Sequence, residues 1–434
     1  MLFTLKYFLK RLNFALLLMF AFCQLATGAE LAESTSPLTL DAALGYALRA
    51  NPAIAVAERE RQAIEGAKTQ AAARLNPSIS TSIQDTRSDN RQIYLQLNQE
   101  IELGNKREAR IDAADSLYQK STAELDSKKA EIHANVVSAF YELLAAQARV
   151  TLSQSSFDVA NLALDASAKR VKAGKSSPVE ETKSKIAQST AKIEFNQSTS
   201  QLNSARKRLS ALWGNPLALF ERAQGDVDNI PPVSSLAELS ALLANAPAIR
   251  LAQLEISSRG ALTRIERSKS TPNITISAGV VNNQELGGIN QALLELSVPI
   301  PIFDRNQGNL QEAIGREYKA QDELLAVRAQ LEAQLATQYE RLNSARQTSE
   351  LLRNEILPSA QSAFNAANKG FSAGKFSFLD VLDAQRTLFQ AKSQYTQALL
   401  EAHQAVAEIE RILGDVVVHS PPSQPALGAN HANE

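Results

Sequence analysis

Hydrophobic residues follow two different periods along the chain, and each period predicts its own kind of element. In four segments apolar and polar residues alternate, which is typical of strands with one apolar and one polar face. Elsewhere apolar residues recur every three or four positions over long stretches with little Pro or Gly, which predicts long helices. The predicted strands cover residues 77–87, 91–103, 272–282 and 290–302. The predicted long helices cover residues 106–172, 179–213, 309–370 and 377–413, the third interrupted only at Pro358.

The second half of the chain repeats the first half. The segment from Asn51 resembles the segment from Ala246, and "AGKSSPVE" from Ala173 resembles "AGKFSFLD" from Ala373. A period of nearly 200 residues is far longer than that of solenoid repeats. We therefore predict two copies of one module, each beginning with a single helix. The copies cover residues 38–214 and 236–414, with a linker at 215–235 and opening helices from Leu40 to about Leu75 and from Leu236 to about Ser270.

The lengths of the predicted helices indicate how they pack. The helix at 106–172 would be ~100 Å long at ~1.5 Å per residue. The opening helix and the return helix of the same copy together match that length, so we expect them to stack end to end alongside it. The seven-residue spacing of four apolar residues indicates a coiled-coil seam along the long helix. These four are Leu143, Val150, Phe157 and Leu164.

Four strands raise a problem of closure. Alternation over ten or more residues is typical of membrane barrel strands, but four strands cannot close a barrel, and lipid does not tolerate open strand edges. Two chains would give eight strands and a bore filled by side chains, whereas three chains give twelve strands and room for water. We predict a mainly α-helical chain that contributes four strands to a trimeric, twelve-stranded membrane β-barrel continuous with an α-helical barrel.

The two ends of the chain carry separate signals. Lys10 and Arg11 precede an apolar run, and small residues up to Ala29 suit cleavage, so residues 1–29 are predicted to be a signal peptide. Cys23, the single cysteine, lies in this segment. Its lipidation stays open, although Phe22 stands where lipidation sites carry a small residue. Residues 415–434 are polar and rich in Pro, which predicts a disordered tail.

Composition and charge exclude several function classes. A net charge of −1 gives no basic surface for nucleic acid. The sequence contains no phosphate-binding loop, no Ser/His/Asp set at motif spacing and no metal-ligand cluster, so we expect neither an enzyme nor a cofactor. His133 and His403 lack paired spacing, which disfavours a metal site. An export duct and a periplasmic coiled-coil scaffold without a pore both remain.

Three segments carry a family resemblance. "AGKSSPVEE", "FSAGKFSFLDVLDAQ" and "SVPIPIFDRNQGNLQEA" resemble the TolC-type outer-membrane efflux proteins, over about Leu38 to Gly414. The length and "PIPIFDRNQGN" look most like the CzcC-type factors of heavy-metal cation efflux. The resemblance implies a homotrimeric duct that spans a Gram-negative outer membrane and extends into the periplasm. It also implies a periplasmic adaptor and an inner-membrane RND-type pump. The implied cargo is divalent heavy-metal cations, with multidrug or type I protein secretion as the alternative.

The two sharp helix reversals are the first candidate site. A reversal needs a left-handed residue, which a Gly supplies at each tip. Tips at the far end of a ~100 Å helical pair are also where an adaptor would dock. The candidate docking residues are Ala173, Gly174, Lys175, Ala373, Gly374 and Lys375.

Acidic residues just past the tips are the second candidate site. By the resemblance, Asp380 and Asp383 line the periplasmic aperture, and Glu180 is the counterpart of Asp380 in the first copy. In a trimer each would form a ring of three carboxylates that favours cations. The alternative is that all three lie in a first helical turn and complement the helix dipole. At the strand exit, Asp304 is predicted to cap the next helix.

Overall fold

The computed structural model describes residues 37–85, 87–373 and 375–414. The predicted signal peptide, Cys23 and the predicted disordered tail lie outside the described residues. In the first copy the elements are α1 (Leu40–Ala50), α2 (Pro52–Ala71), β1 (Ser78–Gln84), β2 (Gln92–Ile101), α3 (Lys106–Lys172) and α4 (Pro178–Ala211). In the second copy they are α5 (Leu236–Leu242), a 3₁₀ turn (Leu243–Asn245), α6 (Pro247–Ser268), β3 (Ile274–Asn283), β4 (Ile289–Ser297), α7 (Gln307–Leu351), a π turn (Leu352–Ile356), α8 (Leu357–Ser372) and α9 (Phe378–Leu413).

Some predicted elements are longer than the observed ones, and prolines explain the difference. The opening helix of each copy is divided at Pro52 or Pro247, so the prediction of single helices is wrong. Proline disfavours the helical conformation of the residue before it, and Asn51 is accordingly extended. β4 ends at Ser297, short of the predicted residue 302, because Pro299 and Pro301 follow and cannot donate to a strand ladder.

The predicted interruption at Pro358 takes the form of a π turn. Five residues, Leu352–Ile356, widen the helix just before the proline, and α8 continues from Leu357. Pro358 has no amide hydrogen for the helical hydrogen bond and its ring crowds the preceding turn. A π turn is one of the known causes of local helix distortion. The change from α7 to α8 is therefore a local widening rather than a break.

The four strands form one antiparallel sheet in the order β1-β2-β3-β4. β1 pairs with β2 and β3 with β4 within each copy, while the β2–β3 ladder joins the two copies. Gly279 lies opposite Gln96 in that central ladder. A Cβ atom at Gly279 would overlap the carbonyl oxygen of Leu95, so this position requires glycine.

The helices form four parallel rods in a layer. α2 and α4 pack along opposite ends of α3, as their lengths predict. Their ends meet where Asn51 Nδ2 donates to the Leu212 carbonyl oxygen at 2.7 Å. α3 also contacts α6 and α9, and these in turn contact α7 and α8. The order across the layer is α2/α4, α3, α6/α9 and α7/α8, the same as the order of the strands.

Small side chains fill the seam between α3 and α4. Of the predicted seam residues only Leu143 is buried, whereas Val150, Phe157 and Leu164 are half-buried. The buried positions are Ser153, Ala160 and Ser167 on α3 and Ser184, Ala191, Ser198 and Ala205 on α4, each seven apart. Ser153 Oγ and Ser198 Oγ are 2.6 Å apart, so the helices approach closely. No helix in the part of the chain that the structure describes is long and apolar enough to cross a membrane.

Candidate functional site: the faces of the sheet and the hairpin tips

The sheet has one apolar face and one polar face. Its pairing places alternate residues of all four strands on the same side. The apolar face consists chiefly of Ile79, Ile83, Ile93, Leu95, Leu97, Ile101, Ile274, Ile276, Ala278, Val280, Ala292, Leu294 and Leu296. Most of these large side chains are exposed in the single chain. An exposed apolar face of this size indicates a surface that another apolar medium or partner covers.

The opposite face is mainly polar and carries negative charge only. It includes Ser80, Gln84, Gln92, Gln96, Asn98, Glu100, Ser277, Asn283, Gln291, Glu295 and Ser297. Glu100 and Glu295 are the charged residues of the four strands, and both are exposed. Within the described residues, β1 and β4 each pair with one neighbour and present a free edge. Both edge strands therefore carry backbone groups without a strand partner among the described residues, and the polar surface carries carboxylates.

The first tip is a compact helix end followed by a new helix. Gly174 has φ 69°, the left-handed conformation that glycine adopts without a steric penalty. Its amide donates to the Val171 carbonyl, and the Lys175 amide donates to the Arg170 carbonyl, both at 2.9 Å. Ser177 then caps α4 by accepting from the Val179 amide at 3.3 Å. Ala173, Gly174 and Lys175 are all exposed, so they form the accessible end of this hairpin.

The second tip repeats this construction with a larger side chain. The Lys375 amide donates to the Gly370 carbonyl at 2.8 Å. The Phe376 ring packs so closely on Gly370 that a Cβ there would overlap it. Ala373 and Lys375 are exposed, whereas Gly374, the predicted turn glycine, lies outside the described residues.

The three acidic residues past the tips occupy different environments. Asp380 forms a capping box, because its Oδ2 accepts from the Ser377 amide and hydroxyl, both at 2.8 Å. Asp383 lies in the second turn of α9 and is exposed, so its placement in a first turn was wrong. Glu180 lies half-buried in the first turn of α4. α4 and α9 are separated by α3, so one chain does not bring Glu180 together with the other two.

Each strand-to-helix junction uses a left-handed asparagine that the sequence analysis missed. Asn105 and Asn306 have φ 58° and 59° and precede α3 and α7. Asp304 is therefore not the helix cap; its Oδ1 accepts from the Asn306 amide at 2.8 Å. Asn306 Nδ2 donates to Glu266 Oε2 at 2.8 Å, which lowers the pKa of that carboxyl together with Lys269. The repeated Asn before each long helix was the available signal.

His403, on α9, is a buried packing residue. His403 is 2% exposed, stacks on Tyr141 with ring centroids 3.6 Å apart, and places Nε2 2.8 Å from the Val227 carbonyl oxygen. Burial lowers the pKa of His403, although the Val227 contact and Asp226 oppose that shift. Among the described residues, no group of three or more His, Cys, Asp or Glu side chains could hold a metal ion. His403 instead attaches the linker to α9.

The buried His403 predicts a loss of stability in mild acid. An unfolded histidine has a pKa of about 6.5, whereas the folded pKa is lower, so the stabilising contribution is complete above 6.5 and declines as the pH falls below it. We expect the free energy of unfolding to decrease more between pH 7.5 and 5.5 in the wild type than in His403→Gln, because the buried ring must take up a proton only in the wild type. Urea titrations in detergent at both pH values measure this difference. Equal pH dependence in the two proteins would contradict it.

Known proteins resemble this chain along both copies. The outer membrane efflux protein family matches residues 43–215 and 239–415. The cobalt-zinc-cadmium resistance protein CzcC of Cupriavidus metallidurans is 42% identical over 400 residues, covering 91% of this chain and 96% of that protein. The nickel-cobalt-cadmium resistance protein NccC of Alcaligenes xylosoxydans xylosoxydans is 26% identical over 332 residues, covering 75% of this chain and 74% of that protein.

Solved structures share the fold at low sequence identity. CusC, solved in a study of transmembrane channel formation, superimposes with a TM-score of 0.74 at 18% identity, covering 90% of this chain and 95% of that chain. The outer membrane protein VceC of Vibrio cholerae gives 0.73 at 18% identity, covering 86% and 96%. These similarities agree with the duplicated architecture, the two-faced sheet and the long helical rods. The chain belongs to the outer membrane efflux protein family, the channels of the Gram-negative outer membrane that extend into the periplasm.

Proposed function

We propose that this protein is the outer-membrane channel of a tripartite system that exports divalent heavy-metal cations. The observation that carries the proposal is the 42% identity to the cobalt-zinc-cadmium resistance protein CzcC along nearly the whole of both proteins. The channel acts as a passive duct. An inner-membrane RND-type pump supplies the energy and a periplasmic adaptor joins the two.

The proposed assembly is a homotrimer with a twelve-stranded barrel. The free edges of β1 and β4 support it, because β4 of one chain can pair with β1 of the next until the ring closes. The apolar face of the sheet then contacts lipid and the polar face lines a bore wide enough for water. The four-rod layer continues this ring as a periplasmic α-barrel, since rods and strands follow the same order.

The charge on the proposed bore suits cations. Glu100 and Glu295 lie on the polar face of the sheet, and the four strands carry neither Lys nor Arg. Threefold symmetry would repeat each carboxylate around the axis and focus a negative potential along the path. At the other end, Glu180, Asp380 and Asp383 would form the periplasmic aperture. The capping role of Asp380 leaves Asp383 as the most available carboxylate there.

The adaptor is proposed to dock on the two hairpin tips. Ala173, Gly174, Lys175, Ala373 and Lys375 are exposed at the same end of the rods, and Gly374 completes the set by its place in the repeated motif. Small residues at the turns leave the backbone accessible to a partner. Each tip lies far from the sheet, where an adaptor rooted in the inner membrane would meet it.

Deletion of the gene tests the proposed cargo. The host strain should lose resistance to Co, Zn or Cd while keeping its resistance to dyes and detergents, and the wild-type gene in trans should restore growth. Growth at graded metal concentrations measures the effect. The reverse pattern would favour organic export, a second candidate supported by 25% identity to the pyoverdine export protein OpmQ of Pseudomonas aeruginosa over 72% of this chain.

Neutralising Asp383 is expected to lower cation selectivity. Asp383→Asn removes three carboxylates from the proposed aperture, so the ratio of cation to anion permeability should fall severalfold. Reversal potentials of purified channels in planar bilayers under a salt gradient measure this ratio. Asp165→Asn removes the same charge from an exposed position on α3 and serves as the control. An equal decrease in both variants would contradict the aperture role.

A further inference from the structure

The strand-exit segment, residues 298–303, is a feature of the second copy that the first copy does not share. Eight residues separate the end of β4 from Asn306, whereas three separate the end of β2 from Asn105. The exit segment consists only of apolar residues and proline, in the order Val-Pro-Ile-Pro-Ile-Phe. The second strand-to-helix junction therefore carries an apolar segment for which the fold of the first junction has no counterpart.

The apolar side chains of the exit segment are not covered by their own chain. Val298 and Ile300 are 48% and 79% exposed, and Ile302 and Phe303 are 62% and 91% exposed. Phe303 is the most exposed large apolar side chain in the described part of the chain. Val298 and Ile300 also continue, in sequence, the alternation of the apolar face of β4. An exposed apolar surface next to the apolar face of the sheet indicates that one apolar medium covers both.

The two prolines suit a medium that offers few hydrogen-bond acceptors. An unpaired backbone amide is costly in lipid, and Pro299 and Pro301 have no amide hydrogen. The Ile302 amide donates to the Ile300 carbonyl oxygen at 3.0 Å, so it is satisfied within the segment. Half of the six backbone nitrogens thus need no acceptor from outside. The segment can lie at the membrane–water interface without a partner strand, because water reaches the remaining polar groups there.

A basic residue follows the apolar side chains directly. Arg305 is exposed, and its Nε donates to the Pro301 carbonyl oxygen at 3.3 Å, which holds the guanidinium beside the exit segment. The carboxylate of Asp304 accepts from the Asn306 amide. Arginine binds phosphate oxygens through its fork of N–H donors. An aromatic residue and a cation at the end of an apolar surface are typical of the boundary between acyl chains and headgroups.

The first junction shows that the turn from strand to helix does not require an exposed ring. Three residues before the left-handed asparagine, the second copy has Phe303 and the first copy has Glu102. Arg110 Nη2 donates to Glu102 Oε2 at 3.0 Å, and Arg107 Nη2 donates to the Ala72 carbonyl oxygen at 2.8 Å. The first junction is therefore closed by polar contacts within the chain. The exposure of Phe303 is a property of the second junction alone.

We propose that the exit segment and Arg305 form a lipid anchor in the periplasmic leaflet of the outer membrane. Ile300, Ile302 and Phe303 lie at the boundary between acyl chains and headgroups, and Arg305 binds the phosphate of an anionic phospholipid. This inference rests on the proposed barrel, because the barrel brings the apolar face of the sheet into lipid. Each chain would hold the leaflet through its second junction, while its first junction stays closed on itself.

Quenching by brominated lipid tests the anchor. The one tryptophan, Trp213, is 6% exposed in the core of the first copy, so the wild type supplies the unquenched baseline. We expect Phe303→Trp to lose emission in vesicles brominated near the headgroups, and less in vesicles brominated near the acyl-chain ends. Leu294→Trp, in the middle of β4, should show the opposite order.

A matched control lies on the helix that follows the junction. Leu325 is 64% exposed but lies on α7, roughly 28 Å past Asn306 at ~1.5 Å per residue. Leu325→Trp should therefore keep its emission in both kinds of vesicle. All three replaced side chains are exposed, so each variant should retain the circular dichroism of the wild type.

The outcomes distinguish the anchor from the barrel. Quenching of Leu294→Trp without quenching of Phe303→Trp overturns the anchor and leaves the proposed channel intact. If neither variant is quenched, the lipid contact of the sheet is overturned together with the anchor. Equal quenching of Phe303→Trp and Leu325→Trp also overturns the anchor, because the bromines would then reach exposed positions in general.

The headgroup contact of Arg305 has a separate test. Adding phosphatidylglycerol to phosphatidylcholine vesicles should raise the urea midpoint of the wild type, and Arg305→Gln should lose most of that increase. Arg328→Gln removes the same charge from an exposed position on α7 and should keep the increase. The contact is overturned if the wild type shows no increase, if Arg305→Gln retains it, or if both variants lose it equally.

Discussion

Replacing Leu294 by lysine is expected to destabilise the membrane-inserted protein by about 2–4 kcal/mol for each chain. Leu294 lies in the middle of β4 on the apolar face and is 79% exposed in the single chain. In the proposed barrel this side chain contacts lipid, and a lysine near the bilayer midplane would lose its hydration. Urea unfolding of the protein in lipid vesicles, followed by tryptophan fluorescence from Trp213, measures the change.

The control for this prediction lies on the same strand. Gln291 belongs to the polar face and is exposed, so Gln291→Lys should leave the free energy of unfolding nearly unchanged. The comparison holds the strand and the introduced residue constant, and the two positions lie three residues apart on opposite faces of the sheet. Equal destabilisation by both lysines would mean that the apolar face does not contact lipid.

Truncating Phe140 to alanine is expected to cost about 3–5 kcal/mol of folding free energy. Phe140 on α3 is 1% exposed and belongs to a core that also contains Leu209 of α4 and Phe220 of the linker. Its ring meets Tyr141 edge-on, with centroids 5.9 Å apart. The cavity left by the ring would loosen the linker from both helices. Denaturant titration in detergent gives the free energy directly.

An exposed residue on the same helix shows whether the loss depends on burial. Leu162→Ala removes apolar atoms from α3 at a position that is 70% exposed, and surface substitutions usually change stability by less than about 0.5 kcal/mol. The two variants should therefore differ by several kcal/mol. A small effect of Phe140→Ala would mean that the core around Phe140, Leu209 and Phe220 contributes little to the stability of the fold.

The helices and strands were largely predictable because each periodic pattern continues over a long segment of the sequence. α3 has the predicted bounds, Lys106–Lys172, since no proline or glycine interrupts its pattern. The division of each opening helix was missed because the apolar periodicity continues across Pro52 and Pro247. The helix is interrupted there only because a proline disfavours the helical conformation of the residue that precedes it. The seam between α3 and α4 was assigned to the wrong residues because the prediction followed the spacing of large apolar residues. The two helices approach so closely that their facing positions carry Ser and Ala instead.

The sequence predicted the location of the candidate sites better than the environments of their side chains. The repeated "AGK" motif located both tips, and Gly174 is left-handed as expected. The spacing of Ser377 and Asp380 is that of a capping box and could have shown that the carboxylate of Asp380 is engaged while that of Asp383 is not, but the sequence analysis did not use it. The left-handed Asn105 and Asn306 were missed because asparagine enters this conformation without any periodic signal. The aperture and docking roles depend on neighbouring molecules, which one chain cannot reveal.

The central β2–β3 ladder has a consequence for biogenesis. Ile101 pairs with Ile274, so a strand completed early in synthesis must wait until two long helices, the linker and α6 have emerged before its partner exists. Contacts this distant along the chain fold slowly, because loop closure precedes any energetic gain. Until β3 has been synthesised, the backbone groups of β2 that face it have no partner strand in the β1–β2 hairpin. The four-stranded sheet can therefore be completed only after most of the chain has been synthesised.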